Sequence, residues 1–323
     1  MRVIPNSQLA SESAPKSVLP APPPYVLITP ARNEARFIEK TIESVIHQTV
    51  LPLKWVIVDD GSTDNTAEIV KRYLPRYAWM ELVQMSQRRD RSFAAKVGAF
   101  NAGYERVEVL QWEIIGNLDG DISFDPDHFE FLTGKFATHA SLGVAGTVFL
   151  EEGYSSDKDS FEGRNHVPGG CQLFRRRCWK EIGGYTPHSG GGIDWTAVIT
   201  ARMKGWRTES FRERRFFHYR RLGTAERGVL SSLFSYGKKD YYLGGHPVWE
   251  LFRVAYRSTK RPFITGGLAL GLGYCWAFLC QVPRPIPREL MAFHRKEQMK
   301  KLRTILKSFV RFKRVDSFTL AQS

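Results

Sequence analysis

Apolar positions in the first half of the chain alternate between short continuous runs and helical spacing. Continuous runs predict buried strands at residues 25–30, 55–58, 80–85 and 112–119. Between the first two runs, Ile38, Ile42 and Val45 share one helical face, and residues 93–106 form a predicted helix with small residues on one side. Strands and helices that alternate at this spacing predict βαβ units and a mainly parallel α/β sheet flanked by helices.

Polar residues at two helix starts predict side-chain caps. Asn65 stands three positions before Glu68, which is the spacing of a capping box for a helix that Pro75 ends. Asp125 and Asp127 precede the next predicted helix, and an Asp near a helix start meets unpaired N–H groups. Both sites are therefore predicted to be N-caps.

The pattern continues through a second region, from about residue 142 to 225. An apolar strand at 142–150 is followed by a glycine-rich turn and the loop "TPHSGGGIDW". An amphipathic helix is predicted to begin near Asp194, with Trp195, Val198 and Ile199 on one face. The three glycines before Asp194 allow the backbone to approach a ligand closely.

Residues 263–282 contain no charged residue. Twenty residues at helical rise reach about 30 Å, the thickness of a bilayer core, and the four glycines are typical of helix packing in lipid. Three interpretations stay open: a membrane span, a re-entrant or interfacial segment, and a buried helix of a globular domain. Both flanks are basic, so the positive-inside rule gives no orientation.

The net charge of +14 is concentrated near the end of the chain. Residues 283–323 carry eleven Lys and Arg against three Asp and Glu. Such a tail is typical of nucleic-acid binding, of an anionic membrane surface, or of a solvated segment. Apolar residues recur in it at helical spacing, which favours an amphipathic interfacial helix over nucleic-acid binding, so no nucleic acid is expected; these residues are Leu302, Ile305, Leu306, Phe309 and Val310.

Other features exclude several classes of protein. Four cysteines without a CxxC pair argue against a disulfide scaffold or a zinc module. The N-terminus lacks the basic-then-apolar pattern of a signal peptide, and residues 1–24 form a Pro- and Ser-rich leader that is predicted to be disordered or extended.

Two acidic clusters stand at the predicted ends of strands. Asp59 and Asp60 follow the second strand, and Asp119 and Asp121 follow the fourth. Ligands of parallel sheets bind outside the carboxyl ends of the strands, so both clusters should face one crevice. Neighbouring carboxylates repel one another unless a cation holds them, and Mg²⁺ or Mn²⁺ prefers oxygen ligands together with substrate phosphates. The clusters therefore predict a site for a metal-bound nucleoside diphosphate.

The order of the motifs supports this prediction. The segments "VLITPARNEARFIEKTIESVIHQT", "WVIVDDGSTDNT", "NLDGDISFDPD", "GGCQLFRRRCWKEIGGY" and "GGIDWTAVITARMKGWR" occur in that sequence. Together they resemble the family 2 glycosyltransferases of GT-A fold, over about residues 25–220. The resemblance implies a sugar transferase that depends on Mn²⁺ or Mg²⁺.

The resemblance also implies roles for individual residues. Binding of the nucleotide maps to six positions, with Asp60 as the contact to the base: Pro30, Arg32, Glu34, Asp59, Asp60 and Asp119. Lys96 and Asn101 are candidates for closing over the base. Asp121 is implied as the metal ligand, with Asp119 bound to the ribose or to the metal through water, and His218 as a metal or phosphate contact.

Asp194 matches the family's general base, which takes the proton of an acceptor hydroxyl as the hydroxyl attacks the anomeric carbon and inverts it. The family usually has Glu-Asp at this position, whereas this chain has Ile193-Asp194. A Gln-x-x-Arg-Trp motif is absent, and several transmembrane helices for a polymer channel are not predicted, which favours single addition over processive synthesis. Arg220 and Arg221 are further candidates for phosphate or membrane contacts.

The leading hypothesis is an inverting transferase at the cytoplasmic face of the plasma membrane. Its donor is expected to be a UDP-sugar, and its acceptor a lipid-linked or surface glycan of exopolysaccharide or cell-envelope assembly. A nucleic-acid-binding protein and a nucleotide-sugar-binding pseudoenzyme are the alternatives. The predicted organisation is a leader, a GT-A catalytic domain, a basic helical linker, an apolar membrane-associated segment and a basic amphipathic tail, at 1–24, 25–225, 226–262, 263–282 and 283–323.

Overall fold

The structure, a computed structural model, describes residues 21–87, 93–157, 163–220 and 228–310. Within these residues there are nine strands: β1 Tyr25–Ala31, β2 Lys54–Asp59, β3 Met80–Gln84, β4 Ile114–Leu118, β5 Ile122–Phe124, β6 Leu142–Glu151, β7 Tyr154–Ser155, β8 Cys171–Arg175 and β9 Arg207–His218. The helices described are α1 Ile38–Ile46, α2 Thr66–Lys71, α3 Phe93–Glu105, α4 His128–Thr138, α5 Arg176–Ile182, α6 Ile193–Met203, α7 Val229–Tyr242, α8 Pro247–Ser258, α9 Thr265–Leu279 and α10 Arg288–Val310.

All nine strands join one sheet in the order β3-β2-β1-β4-β8-β6-β9-β5, with β7 paired to β6. The first four strands in this order are parallel, as are β6 and β9. Strand β8 lies antiparallel between β4 and β6, and β5 is antiparallel to β9. The mainly parallel α/β fold predicted from the sequence is confirmed.

The central strands are buried on both faces, which explains their continuous apolar runs. Leu27 and Ile57 point to the side of the sheet covered by α1 and α4, whereas Ile28 and Val58 point to the side covered by α3. Trp55 is completely buried, and its indole N–H donates to Thr29 Oγ1 at 2.9 Å. The rigid sheet fixes where the strand ends, and the polar residues after them, lie.

Both predicted side-chain caps are wrong. Asn65 stands at the N-cap position of α2, but Asp64 Oδ1 accepts from Thr66 N, at 3.0 Å. Asp127 stands at the N-cap of α4, yet its carboxylate accepts from Arg214 Nε at 3.0 Å, and this bond holds the pKa of Asp127 below its ordinary value. Asp125 contributes its backbone carbonyl, which accepts from His128 N.

The uncharged segment at 263–282 forms a shorter helix than its length allows. Helix α9 has 15 residues, which at 1.5 Å per residue span about 22 Å. Its inner side packs against α7 and α8. Among the helices in the described parts of the chain, none has both the length and the apolar character that crossing a bilayer requires.

The apolar stripe of the basic tail is in part covered by protein. Leu302 and Ile305 of α10 are buried against Trp249 of α8, so these two positions do not face lipid as the interfacial interpretation expected. Leu306 is exposed. The side chains of Phe309 and Val310, residues 311–323 and most of the predicted leader lie outside the described residues.

Candidate active site

The carboxyl ends of β1, β2 and β4 meet at one edge of the sheet, because these three strands are parallel neighbours. Pro30 is near the end of β1, followed by Arg32 and Glu34. Asp59 ends β2, and the β4–β5 turn carries Asp119 and Asp121. The structure therefore places the predicted nucleotide-binding and metal-binding positions of these strands along the same edge.

Strand pairing brings His218 to Asp121. Strand β5 pairs with β9 so that Ile122 stands opposite His218, and Tyr219 N donates to the carbonyl of Asp121 at 2.9 Å. His218 Nε2 lies 3.5 Å from Asp121 Oδ1. Ligand atoms of Asp119, Asp121 and His218 all lie within 4.8 Å of one another, an arrangement that can hold a metal ion.

Asp121 is buried, and its environment opposes its charge. Burial is the main cause that raises the pKa of Asp121, and the neighbouring carboxylate of Asp119 raises it further. His218, Arg220 and Lys96 act in the opposite direction without cancelling the effect. A cation beside Asp121 would remove this electrostatic cost, so the pair is suited to a metal ion.

Lys96 also contacts the acidic pair. Its Nζ lies 2.5 Å from Asp119 Oδ1 and donates a hydrogen bond to it. Burial opposes the charge on Lys96, but Asp119, and beyond it Asp194 and Asp121, outweigh burial and raise the pKa of the ammonium group. Lys96 therefore stays charged and partly neutralises the acidic cluster.

Arg220 connects the first and fourth strand ends. Its Nη2 donates to Glu34 Oε2 at 2.6 Å, and its Nε lies 3.6 Å from Asp121 Oδ2. Glu34 is in turn fixed by its backbone N–H, which donates to Thr66 Oγ1 at 2.8 Å. The sequence suggested Arg220 only as a phosphate or membrane contact, and Arg221 lies outside the described residues.

Glu151 was not anticipated from the sequence. It ends β6, next to β9, and its Oε1 lies 3.2 Å from His218 Nδ1. With Nδ1 facing this carboxylate, Nε2 is the ring nitrogen directed at Asp121. A carboxylate beside the far nitrogen helps to orient an imidazole that serves as a metal ligand. The available signal was the position of Glu151 directly after an apolar strand.

Asp194 lies near the same cluster, beside Gly169, and interacts electrostatically with Lys96. It is the second residue of α6, after Gly191 and Gly192, whose φ angles of +82° and +84° favour glycine. A side chain at Gly169 would meet Asp194 Oδ2 at 2.5 Å, and the carbonyl of Gly170 accepts from Asp119 N at 2.9 Å. Gly169 and Gly170 thus separate the general-base candidate from Asp119.

Other predicted positions differ in how they relate to this cluster. Asp59 closes its own turn, because its Oδ1 accepts from Ser62 N at 2.9 Å. Asp60 is buried beside the end of β1, where its N–H donates to the carbonyl of Ala31. Asn101 is exposed on α3, about 140° around the helix from Lys96, so the structure does not place it with the acidic pair.

The sequence profile of Glycosyl transferase family 2 matches residues 26–193, a little over half of the chain. The chain therefore belongs to this family, and the predicted enzyme class, a glycosyltransferase, is confirmed. Chondroitin synthase of Escherichia coli is 23% identical to it over 207 residues, which is 61% of this chain and 29% of the synthase. Since the chain spans less than a third of that relative, the synthase's substrates do not carry over.

Solved structures show the same fold. One is the mannosyltransferase PcManGT from Pyrobaculum calidifontis in complex with GDP-Man and Mn²⁺, with a TM-score of 0.53 and 19% identity over 90% of this chain and 80% of that one. Another is S. aureus TarS 1–349 in complex with UDP-GlcNAc, with a TM-score of 0.53 and 13% identity over 90% and 92% of the two chains. The predicted GT-A fold is confirmed.

Proposed function

We propose that this chain is an inverting glycosyltransferase that moves a sugar from a nucleoside diphosphate donor, expected to be a UDP-sugar, to a hydroxyl of a lipid-linked or surface glycan at the cytoplasmic face of the plasma membrane. The observation that carries the proposal is the position of Asp194 across Gly169 and Gly170 from the Asp119–Asp121–His218 cluster. A cluster that would hold the donor and a candidate base would thus act side by side in a family 2 chain.

The residues present fit a divalent cation. Two carboxylates and an imidazole converge, and burial together with the neighbouring Asp119 raises the pKa of Asp121. Asp121, His218 and Asp119 would hold Mn²⁺ or Mg²⁺, both of which accept carboxylate ligands. When bound, such an ion supplies positive charge that stabilises the leaving diphosphate.

Asp194 would carry the proton transfer. An acceptor hydroxyl is a weak nucleophile at neutral pH because its pKa is far above 7, and a carboxylate within hydrogen-bond reach removes the proton as the new bond forms. The acceptor oxygen bonds to the anomeric carbon, the bond from that carbon to the diphosphate oxygen breaks, and the proton moves to Asp194. Attack opposite the leaving group inverts the anomeric centre.

The nucleoside would lie along the ends of β1 and β2. Arg32 and Asp60 stand there, and the Glu34–Arg220 pair borders the acidic cluster on this side. The base contact of Asp60 and the closing roles of Lys96 and Asn101 stay predictions. Since the structural neighbours bind both a guanosine and a uridine donor, both nucleotide classes belong in the test.

The decisive experiment separates binding from transfer. Calorimetric titration of a panel of UDP- and GDP-sugars with Mn²⁺ should find a donor that Asp121→Asn no longer binds in a metal-dependent manner. Asp194→Asn should keep that affinity and lose transfer by about 10²- to 10⁴-fold, the usual contribution of a general base. The matched control is Asp127→Asn, an acid paired with Arg214 outside the crevice, which should change neither quantity.

Two results would contradict the proposal. Metal-dependent donor binding that survives in Asp121→Asn would remove the assignment of the metal site. Donor binding by the wild type without turnover, across a panel of lipid-linked and glycan acceptors, would instead support the pseudoenzyme.

A further inference from the structure

Helix α9 exposes a continuous apolar surface on its outer side. We call this surface the α9 face and define it by Ile264, Leu268, Leu272, Trp276, Phe278 and Leu279. Leu268, Leu272 and Leu279 are 55%, 62% and 77% exposed. The chain has no charged residue from 262 to 283, so nothing on this helix interrupts the surface. Large exposed apolar patches mark contacts with protein or membrane.

The inner side of α9 fixes this orientation. A side chain at Gly273 would meet the carbonyl oxygen of Phe234 in α7 at 2.0 Å, and one at Gly267 would meet Ser258 Oγ at 2.0 Å. Tyr274 Oη donates to the carbonyl of Gly245 at 3.0 Å. Because only the glycine side fits this closely against α7 and α8, the α9 face cannot turn inward.

Basic groups surround the α9 face at both ends. Lys260 and Arg261 precede the helix, and at its other end Lys238 Nζ lies 4.3 Å from the ring centre of Trp276, with Arg284 beyond. The guanidinium of Arg257 lies instead on the inner side, against Gly266. Residues 251–288 contain six Lys and Arg and no Asp or Glu, and of these Arg253 forms ion pairs with Asp240 and Glu250. This charge matches anionic lipid headgroups, whereas a second copy of the same surface would bring like charges together.

We infer that α9 lies in the interface of an anionic bilayer, parallel to its plane, with the α9 face among the acyl chains and the basic ends at the phosphates. At about 22 Å the helix is shorter than a bilayer core of about 30 Å, and an interfacial helix needs only one apolar face. The inference rests on α9 and its surroundings and does not depend on the proposed transfer reaction.

Contacts of α7 connect this surface to the candidate active site. Helix α7 packs against α9, and Tyr242 Oη at its end accepts from Gly190 N at 3.1 Å. The next residue, Leu243, packs against Gly192, because a Cβ atom on Gly192 would lie 3.0 Å from the Leu243 side chain. Gly190 and Gly192 lead into Asp194. Docking of the α9 face would therefore bring α7, and the loop before Asp194 that contacts it, near the bilayer surface.

The test is co-sedimentation of the full chain with vesicles of phosphatidylcholine alone or with about one third phosphatidylglycerol. Leu268→Glu/Leu272→Glu should bind the anionic vesicles at least tenfold more weakly than the wild type, because it places two charges among acyl chains. The matched control is Leu51→Glu/Leu53→Glu, which changes two exposed leucines of the catalytic region and should bind as the wild type does.

A second readout reports insertion directly. Cys275 and Cys280 are exposed and Cys171 and Cys178 are buried, so Cys280→Ser leaves one accessible thiol, within α9. A polarity-sensitive dye on Cys275 should shift to the blue with anionic vesicles. Equal vesicle binding by the α9 double variant and its control, or an unshifted dye, would overturn the inference. So would a wild-type dimer in size-exclusion chromatography that Leu268→Glu/Leu272→Glu converts to a monomer.

Discussion

Two buried carboxylates on the same sheet, Glu209 and Asp121, have very different charged neighbours. Glu209 lies near the start of β9, is 1% exposed and forms ion pairs with both Arg164 and Arg207. Asp121 lies beside the end of β9, is 6% exposed and has another carboxylate, Asp119, in its ligand cluster. One acid is paired with two guanidinium groups, whereas the other faces a second carboxylate as well as His218 and Arg220.

The difference separates a structural charge from a functional one. The charge of a buried carboxylate with cations on both sides is already balanced, and its removal leaves those cations without their partner. Close to Glu209, Arg202 donates to Glu297 through Nε and Nη2 at 2.9 and 3.0 Å. The acidic side chains at this end of the sheet are therefore paired with arginines. Around Asp121, burial and the neighbouring Asp119 raise the pKa despite His218, Arg220 and Lys96, so an additional cation would stabilise the charged carboxylate.

Glu209→Gln should destabilise the end of the sheet at which buried acids are paired with arginines. The substitution leaves Arg164 and Arg207 without their shared carboxylate, and we expect unfolding free energy to fall by about 2–3 kcal/mol. This is below the value for fully buried pairs because both guanidinium groups are about a third exposed. Denaturant titration measures the loss. Glu213→Gln, an exposed acid of the same strand that pairs with Lys135, is the control and should cost little. Equal costs would show that burial does not distinguish the two acids.

Asp121→Asn should have the opposite sign in the absence of metal. A raised pKa means that folding favours the protonated carboxyl, so this group's contribution to stability falls as pH rises from its unfolded pKa through the raised folded value. The amide resembles the protonated form. We expect the variant to unfold at a temperature a few degrees higher than the wild type at pH 7 and to lose the wild type's further stabilisation by Mn²⁺. Scanning calorimetry with and without the ion measures both effects.

A lower unfolding temperature for Asp121→Asn without metal would show that Asp121 is satisfied by His218 and Arg220 alone. The comparison with Glu209 would then fail, because both buried acids would be structural.

The acidic edge could be predicted from the sequence because it depends on local information. Apolar runs that stop at Asp59 and at Asp119 locate two strand ends, and parallel pairing requires those ends to lie side by side. The general-base candidate is likewise marked locally, by glycines directly before the apolar spacing of α6. In both cases residues that are neighbours in the sequence are sufficient to predict the position.

Contacts that join distant segments could not be predicted in this way. Arg220 reaches Glu34 across 186 positions, and Glu151 reaches His218 only because β6 and β9 pair in a particular register. The predicted cap of α4 was wrong for the same reason, since Asp127 binds Arg214, 87 positions away. The predicted cap of α2 was wrong for a local reason, because the neighbouring Asp64 accepts from Thr66 N. Nearly every residue of α9 is apolar, so hydrophobic periodicity could not predict which side of the helix is exposed. The close contacts of its glycines with α7 and α8 identify the buried side.

Lys96→Met tests how strongly Lys96 opposes metal binding at the Asp119–Asp121–His218 cluster. The ammonium group of Lys96 sits on Asp119, where it competes with a divalent cation for the same carboxylate. A charge-assisted hydrogen bond contributes about 1.5–3 kcal/mol, and because this side chain is a third exposed we expect ~1 kcal/mol of competition, or about fivefold tighter Mn²⁺ binding in the variant without donor. Calorimetric titration of the metal alone measures this change. Lys135→Met, which removes a lysine paired with exposed Glu213, should leave the metal affinity unchanged. Weaker Mn²⁺ binding in Lys96→Met would mean that Lys96 supports the metal site by orienting Asp119. Lys96 would then be a structural partner of Asp119, as Arg164 and Arg207 are of Glu209.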